Sequence, residues 1–259
     1  MRINILFLVF LYASFCSCKP KEDTAEMNKL LQQLSDQSFT PSNSFNSAAK
    51  LLYFDSLIMS SAGNSSMTSL KYKHSKASVL LELGREKEAI ELFETILPGI
   101  LPKDSSFKYQ VLSDLALSWL RIGERDNCTI NHGAESCIFP ISGSGVHSNT
   151  TGSDKAIAIY SQLLKHNPND QESKWLLNIA SMTINGYPSK IPASFLIPDL
   201  NKIDTLLIPP FFDAAPQLGL AHTNMAGGSI IDDFDNDGYL DIIFSGWSLK
   251  DCLHYFKNN

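Results

Sequence analysis

The sequence has no surplus of positive charge. Its 259 residues include 21 Lys and Arg against 27 Asp and Glu, which gives a formal net charge of -6. A protein that binds nucleic acid needs a basic surface to meet the phosphates, so this balance argues against a nucleic-acid partner. Beyond the N-terminal segment, the chain also has no apolar run long enough to form a transmembrane helix.

Sequence signatures of the common catalytic sites are missing as well. The chain has no Ser/His/Asp signature, no glycine-rich loop that would cradle a phosphate and no His-Glu-x-x-His zinc motif. We therefore expect a protein that binds other molecules and has no catalytic activity.

The N-terminal segment has the features of a lipoprotein export signal. Arg2 precedes an apolar run from Ile5 to Phe15, and this run of about 11 residues is too short to span a bilayer. Lipoprotein signal peptidase accepts a small residue before a cysteine, and Ser17 precedes Cys18. The sequence predicts a signal peptide at 1–17 and lipidation of Cys18. The protein would be exported in a bacterium and anchored at the outer membrane or cell surface.

A polar tether and a helical region follow the signal. Residues 18–48 are polar and predict a flexible tether, within which Glu26 to Leu34 have the spacing of a short helix. In residues 49–184, apolar residues recur at spacings of three, four and seven, as in amphipathic helices. Two units there resemble tetratricopeptide repeats, helix-turn-helix units of about 34 residues. The matching residues are the turn glycines, the small and aromatic residues of the second helix and a terminating proline: Gly84, Gly123, Ala89, Ala156, Phe93, Tyr160 and Pro168.

A further helix is expected at the end of this region. Residues 174–182 have helical apolar spacing, and we expect Trp175 to face inward there. This helix would cap the repeat array.

The second repeat unit carries an insertion at about 126–153. It contains Cys128, His132, Cys137 and His147. In an exported protein, two close cysteines favour a Cys128–Cys137 disulfide. A metal site made of the two cysteines with His132 and His147 is the alternative, although the spacing matches no common zinc finger. A cysteine nucleophile with a histidine base is the third interpretation, and it lacks an orienting group.

The C-terminal part of the sequence changes from proline-rich to β-type. Residues 185–220 contain closely spaced prolines, which favour extended chain over helix and predict an ordered linker. From there to the end, residues 221–259 contain short β-branched and aromatic runs that predict strands.

A calcium-binding loop is the most specific motif of the chain. Asp233, Asp235 and Asp237 alternate, and the glycine that follows them permits a sharp turn. Calcium takes about 6 to 8 oxygen ligands, and Tyr239 would add its carbonyl and Asp241 a closing carboxylate. An EF-hand is excluded, because the twelfth position holds phenylalanine instead of glutamate and β-type sequence flanks the loop. The pattern predicts a Ca²⁺ site in a β-hairpin.

These features together resemble a known family. Residues 226–241 are similar to the FG-GAP or VCBS repeat. With the Cys/His loop at 127–141 and the segment 175–180, the chain resembles bacterial ASPIC/UnbV proteins, relatives of cartilage acidic protein. The resemblance implies a calcium-stabilised β-propeller preceded by helical repeats, with a role in binding or adhesion. The sequence stops after the first propeller motif, so we expect a partial blade and a fragment of a longer protein.

The expected fold class is mainly α with a small β part: tetratricopeptide-like helical repeats followed by an incomplete β-propeller blade. The expected function is that of a lipid-anchored, calcium-binding interaction or adhesion module, with a protein or glycan partner at the cell envelope. The alternative is an exported metalloenzyme or redox subunit that uses the loop of Cys128, His132, Cys137 and His147.

Overall fold

The computed structural model describes residues 24–43, 45–61, 66–128, 134–137, 139–202, 211–224, 226–247 and 251–258. This part of the chain is mainly helical and ends in a small antiparallel sheet, which confirms the expected fold class of mainly α with a small β part. The chain divides into two compact units, one made of residues 40–209 and the other of residues 1–39 with 210–259. The predicted signal peptide and Cys18 lie outside the described residues.

The described helices and strands follow one another along the chain with the helices first. The helices are α1 (Thr24–Gln37), α2 (Ser47–Ser60), α3 (Met67–Glu82), α4 (Glu86–Ile96), α5 (Ser105–Cys128), α6 (Ala134–Cys137), α7 (Thr151–His166) and α8 (Gln171–Met182). The strands are β1 (Ala226–Asp232), β2 (Asp241–Gly246) and β3 (Leu253–Phe256).

In the 40–209 unit the longer helices pack mostly on their neighbours in sequence. Helix α2 contacts α3, α3 contacts α4, α4 contacts α5, α5 contacts α7, and α7 contacts α8. Local stacking of this kind is what helical-repeat proteins use to build a continuous core. The described buried residues form one apolar cluster among α2 to α5 and a second among α5, α7, α8 and the chain after α8.

The two glycines that match the repeat pattern have different roles. Gly84 ends α3 in the left-handed region at φ 70°, as the turn requires. Gly123 lies inside α5, where it faces Gly152 of α7. A Cβ on Gly152 would lie 2.5 Å from the Trp119 carbonyl oxygen and 2.7 Å from the Gly123 Cα. Gly123 therefore serves a close helix crossing, and the turn predicted there is wrong.

Trp175 was expected to face inward, and this prediction is wrong. Its side chain is 44% exposed, and its ring stacks on Phe139 with the centroids 5.6 Å apart. The buried face of α8 is formed by Ser173, Leu177 and Ala180 instead. Successive helix residues are rotated by about 100°, so a residue two positions from Leu177 points away from that face.

The first part of the proline-rich linker packs on α8. The Asn178 amide of α8 donates to the Phe195 carbonyl at 2.9 Å and accepts from the Ile197 backbone N–H at 3.1 Å. Ile191 and Phe195 are buried against the second apolar cluster. This segment is ordered without forming a regular helix or strand in residues 185–202.

The sheet has the order β1-β2-β3, and both neighbouring pairs are antiparallel. Asp232 at the end of β1 is opposite Asp241 at the start of β2, so the acidic loop joins these two strands. Ile242 of β2 is opposite Phe256 of β3, which brings the residues after β3 alongside the start of β2.

Candidate metal centre

The acidic loop occupies residues 233–240 and turns the chain from β1 into β2. Two of its residues adopt left-handed backbone angles, Asn236 at φ 60° and Gly238 at φ 91°. Asparagine and glycine are the residues that tolerate this conformation best. The sequence therefore permits the sharp turn that brings alternate carboxylates to one side.

Asp233 organises the loop from its first position. Its Oδ1 accepts the backbone N–H of Asp237 at 3.1 Å, and its Oδ2 accepts that of Gly238 at 2.9 Å. Asp237 in turn accepts the backbone N–H of Tyr239 at 3.0 Å. These bonds fold the loop back on its own carboxylates.

Asp233, Asp235 and Asp237, which we call the Asp triad, converge in this loop. Each offers one carboxylate oxygen, and these oxygens all lie within 4.8 Å of one another. Asp233 is half-buried, whereas Asp235 and Asp237 are exposed. Carboxylate oxygens are the hard ligands that calcium binds, and negative charges this close repel one another unless a cation is present. The triad therefore has the chemistry of a cation site.

A lysine that the sequence analysis did not single out contacts the Asp triad. Lys257 Nζ pairs with Asp235 Oδ2 and, at 2.9 Å, with Asp237 Oδ2. These contacts raise the pKa of Lys257, first through Asp235, and Lys257 lowers the pKa of Asp237. This contact depends on the β2–β3 register, which places Lys257 beside Asp241 and has no local signal in the sequence.

Asp241 makes different contacts from those of the triad. It is buried, its Oδ1 accepts the Asn258 backbone N–H at 2.9 Å, and its Oδ2 accepts the Tyr255 hydroxyl at 2.7 Å and the Phe234 backbone N–H at 3.3 Å. The bond from Asn258, followed by that from Tyr255, holds the pKa of Asp241 below its ordinary value. Asp241 is not part of the converging group. Its predicted ligand role, like that of the Tyr239 carbonyl, stays a prediction.

The Cys/His insertion is described only in part. His147 is buried, its Nδ1 lies 2.9 Å from Ser153 Oγ, and that hydroxyl lies 2.7 Å from Thr183 Oγ1. Burial lowers the pKa of His147. His132 and the Cys137 side chain lie outside the described residues, so both the Cys128–Cys137 disulfide and the alternative metal site remain hypotheses.

The helical unit has a groove that the sequence analysis did not identify. Its volume is about 690 Å³, and its lining includes Tyr53 and Phe54 of α2, His74 of α3 and Gln110 of α5. His74 Nε2 lies 2.7 Å from Asp114 Oδ2, a carboxylate 40 residues away in sequence. Two residues 40 positions apart share no local sequence pattern. The sequence therefore gave no indication that His74 and Asp114 are in contact.

Comparison with known proteins gives no match. No family model fits this sequence, and no curated protein or solved structure is significantly similar to it. Among the described residues, no helix is both long and apolar enough to cross a membrane. The resemblance to calcium-binding propeller repeats therefore stays a prediction from the motifs of the sequence.

Proposed function

We propose that this protein is a non-catalytic, calcium-binding interaction module that a lipid anchor holds at the bacterial cell envelope. The observation that carries the proposal is the convergence of the Asp triad, whose carboxylate oxygens lie within 4.8 Å of one another in a β-hairpin loop. Carboxylates this close repel one another. A bound Ca²⁺ would neutralise their charge and join the two strands that the loop connects.

Calorimetric titration of the full chain with CaCl₂ tests the metal site. We expect one Ca²⁺ with a dissociation constant of about 10⁻⁴ to 10⁻³ M, the range of extracellular calcium modules. Asp235→Ala and Asp237→Ala should each abolish binding, because each removes a triad ligand. Asp233 is less suitable for this test, since its carboxylate also holds the loop backbone.

Asp232→Ala is the matched control for this titration. Asp232 adjoins the triad in sequence but is not one of the converging residues, and its Oδ1 accepts the N–H of Asp233. The Asp232→Ala variant should bind calcium like the unmodified chain. Unchanged calcium binding in both Asp235→Ala and Asp237→Ala would show that the loop is not the site.

Helix α1 supports attachment to a lipid surface. Four apolar side chains recur on one helical stripe, and all of them are about half exposed: Met27, Leu30, Leu31 and Leu34. An amphipathic helix with such a stripe can lie at a membrane interface, and a single apolar stripe binds more firmly when an acyl chain lies nearby. The stripe starts nine residues after Cys18, within reach of a lipid on that cysteine.

Metabolic labelling with palmitate tests the anchor. We expect incorporation into the unmodified chain and into Cys16→Ser, and none into Cys18→Ser. Cys16 is the matched control, because it is the other cysteine of the segment and follows bulky Phe15. Equal labelling of all three proteins would disprove lipidation at Cys18.

The groove of the helical unit supports an interaction role. Tyr53 and Phe54 provide apolar surface, while His74, Gln110 and Lys50 provide polar groups. A concave, largely apolar surface with a few polar groups is the usual form of a binding site. We therefore assign the protein or glycan partner at the envelope to this groove.

A further inference from the structure

Lys257 occupies part of the space between the carboxylates that would bind the metal. Its ammonium group pairs with one oxygen of Asp235 and, at 2.9 Å, with one oxygen of Asp237. A calcium ion would approach carboxylate oxygens at about 2.3 to 2.6 Å. The ammonium group and the ion therefore compete for the carboxylates of Asp235 and Asp237.

Asp241 holds the chain on both sides of Lys257, through a backbone group after it and a side chain before it. The Asn258 backbone N–H donates to Asp241 Oδ1 at 2.9 Å, and the Tyr255 hydroxyl donates to Asp241 Oδ2 at 2.7 Å. Asp241 is buried at the start of β2. These bonds hold the end of β3 beside the loop, so Lys257 does not depend on its own ion pairs for its position.

We propose that Lys257 is an intramolecular counter-ion of the Asp triad, which calcium must displace in order to bind. This inference rests on the proposed calcium site and adds its regulation. In the absence of the metal, the ammonium group reduces the repulsion among the carboxylates and keeps the loop folded. When calcium arrives, the lysine side chain rotates away while the backbone stays anchored on Asp241.

The competition has a consequence for ion selectivity. A monovalent cation gains little over the tethered ammonium group, whereas a divalent ion interacts with each carboxylate about twice as strongly. Lys257 should therefore favour Ca²⁺ over Na⁺ and K⁺ and weaken the apparent calcium affinity. Partly exposed ion pairs are individually weak, so removing the lysine should tighten calcium binding by about 3- to 30-fold.

Calorimetry on full-length variants tests the role of Lys257. Lys257→Met keeps most of the length of the side chain and removes its charge, and we expect the calcium dissociation constant to fall by about 3- to 30-fold. Lys257→Arg keeps the charge and should bind calcium no more tightly than the unmodified chain. Lys202→Met is a control in the other unit, where Lys202 pairs with Asp199 at 2.8 Å, and it should have no effect.

The outcomes separate this inference from the proposed function. If the unmodified chain and Lys257→Met bind calcium equally well, the counter-ion role is wrong and the calcium site stands. If neither binds calcium, both ideas are overturned. If only Lys257→Met binds, the counter-ion role is supported and the calcium function of the natural chain is wrong. If the Met variant fails to fold by circular dichroism, Lys257→Gln provides the uncharged side chain for the same comparison.

Discussion

The Tyr255 hydroxyl donates a hydrogen bond of 2.7 Å to Asp241 Oδ2, and this bond links β3 to β2 at the end of the sheet next to the acidic loop. The acceptor is buried and negatively charged, and the bond raises the pKa of Tyr255 to about 12. A charged acceptor strengthens a hydrogen bond, so this pair is an important link between the strands. It fixes the segment that carries Lys257.

The sheet should therefore lose stability in acid. Because hydrogen bonds lower the pKa of Asp241 in the folded sheet, the unfolded chain takes up this proton more readily. The contribution of Asp241 to the stability of the sheet is fully present above its unfolded pKa of about 3.9. It is lost as the pH falls through the pKa of Asp241 in the folded sheet. The NMR amide signals of Ile242 and Ile243 should report a loss of sheet structure below about pH 4.

Tyr255→Phe should move this acid transition to higher pH, because it removes one of the bonds that lower the pKa of Asp241. Tyr53→Phe is the control, since Tyr53 is half exposed on α2 in the other unit. Identical transitions in the unmodified chain and Tyr255→Phe would show that the hydroxyl does not stabilise the ionised carboxylate.

Gly152→Ala should destabilise the helical unit. The added Cβ would lie 2.5 Å from the Trp119 carbonyl oxygen, and backbone cannot move as a side-chain end can. Overpacking of this kind costs about 1 to 3 kcal/mol, which urea unfolding followed by circular dichroism would detect. In Gly99→Ala the nearest atom is Leu70 Cδ2 at 3.2 Å, so this control should lose much less. Equal losses would argue against the close crossing.

The helical unit should also lose stability between neutral and mildly acidic pH. Burial lowers the pKa of His147, so below the unfolded value of about 6.5 the unfolded chain binds this proton first. The free energy of unfolding should be greatest above that pH. It should fall as the pH drops towards the pKa of His147 in the folded state, by at most about 1.4 kcal/mol per pH unit. Urea unfolding at pH 7.5 and 5.5 measures the difference. His147→Gln should reduce it, whereas His166→Gln, at an exposed position, should not.

Local patterns in the sequence were enough to predict the fold class. The helical spacing and the turn at Gly84 follow from periodicity and backbone preference, and the structure has both. Gly123 was assigned to a turn because it matches the turn glycine of the repeat pattern. In the structure Gly123 contacts Gly152 of another helix. Such a contact produces no periodic pattern in the sequence of either helix.

The candidate site was predictable to a similar extent. The alternating spacing placed the Asp triad in one loop, and the structure brings these carboxylates together. The contacts of Lys257 depend on the register of a third strand, which the sequence alone did not define. The hydrogen bonds of Asp241 were not predictable for the same reason, because its partners Tyr255 and Asn258 lie on or beside that strand.

The insertion at about 126–153 carries two cysteines, Cys128 and Cys137. In an oxidising compartment we expect a disulfide between Cys128, the last residue of α5, and Cys137, the last residue of α6. Closing so short a loop should stabilise the unit by about 2 to 3 kcal/mol. It would hold the insertion against the helices at one end, while His147 holds the other through Ser153.

Thiol titration of the exported, denatured protein tests this disulfide. Apart from the cysteine at the anchor, Cys252 should be the one reactive thiol before reduction, and two further thiols should appear after it. Cys137→Ser should expose Cys128 and lower the urea midpoint, whereas Cys252→Ser should leave the midpoint unchanged, because Cys252 is exposed in the other unit. Three reactive thiols in the oxidised protein would contradict the disulfide. Stoichiometric zinc in the same sample would favour a metal site made of Cys128, His132, Cys137 and His147.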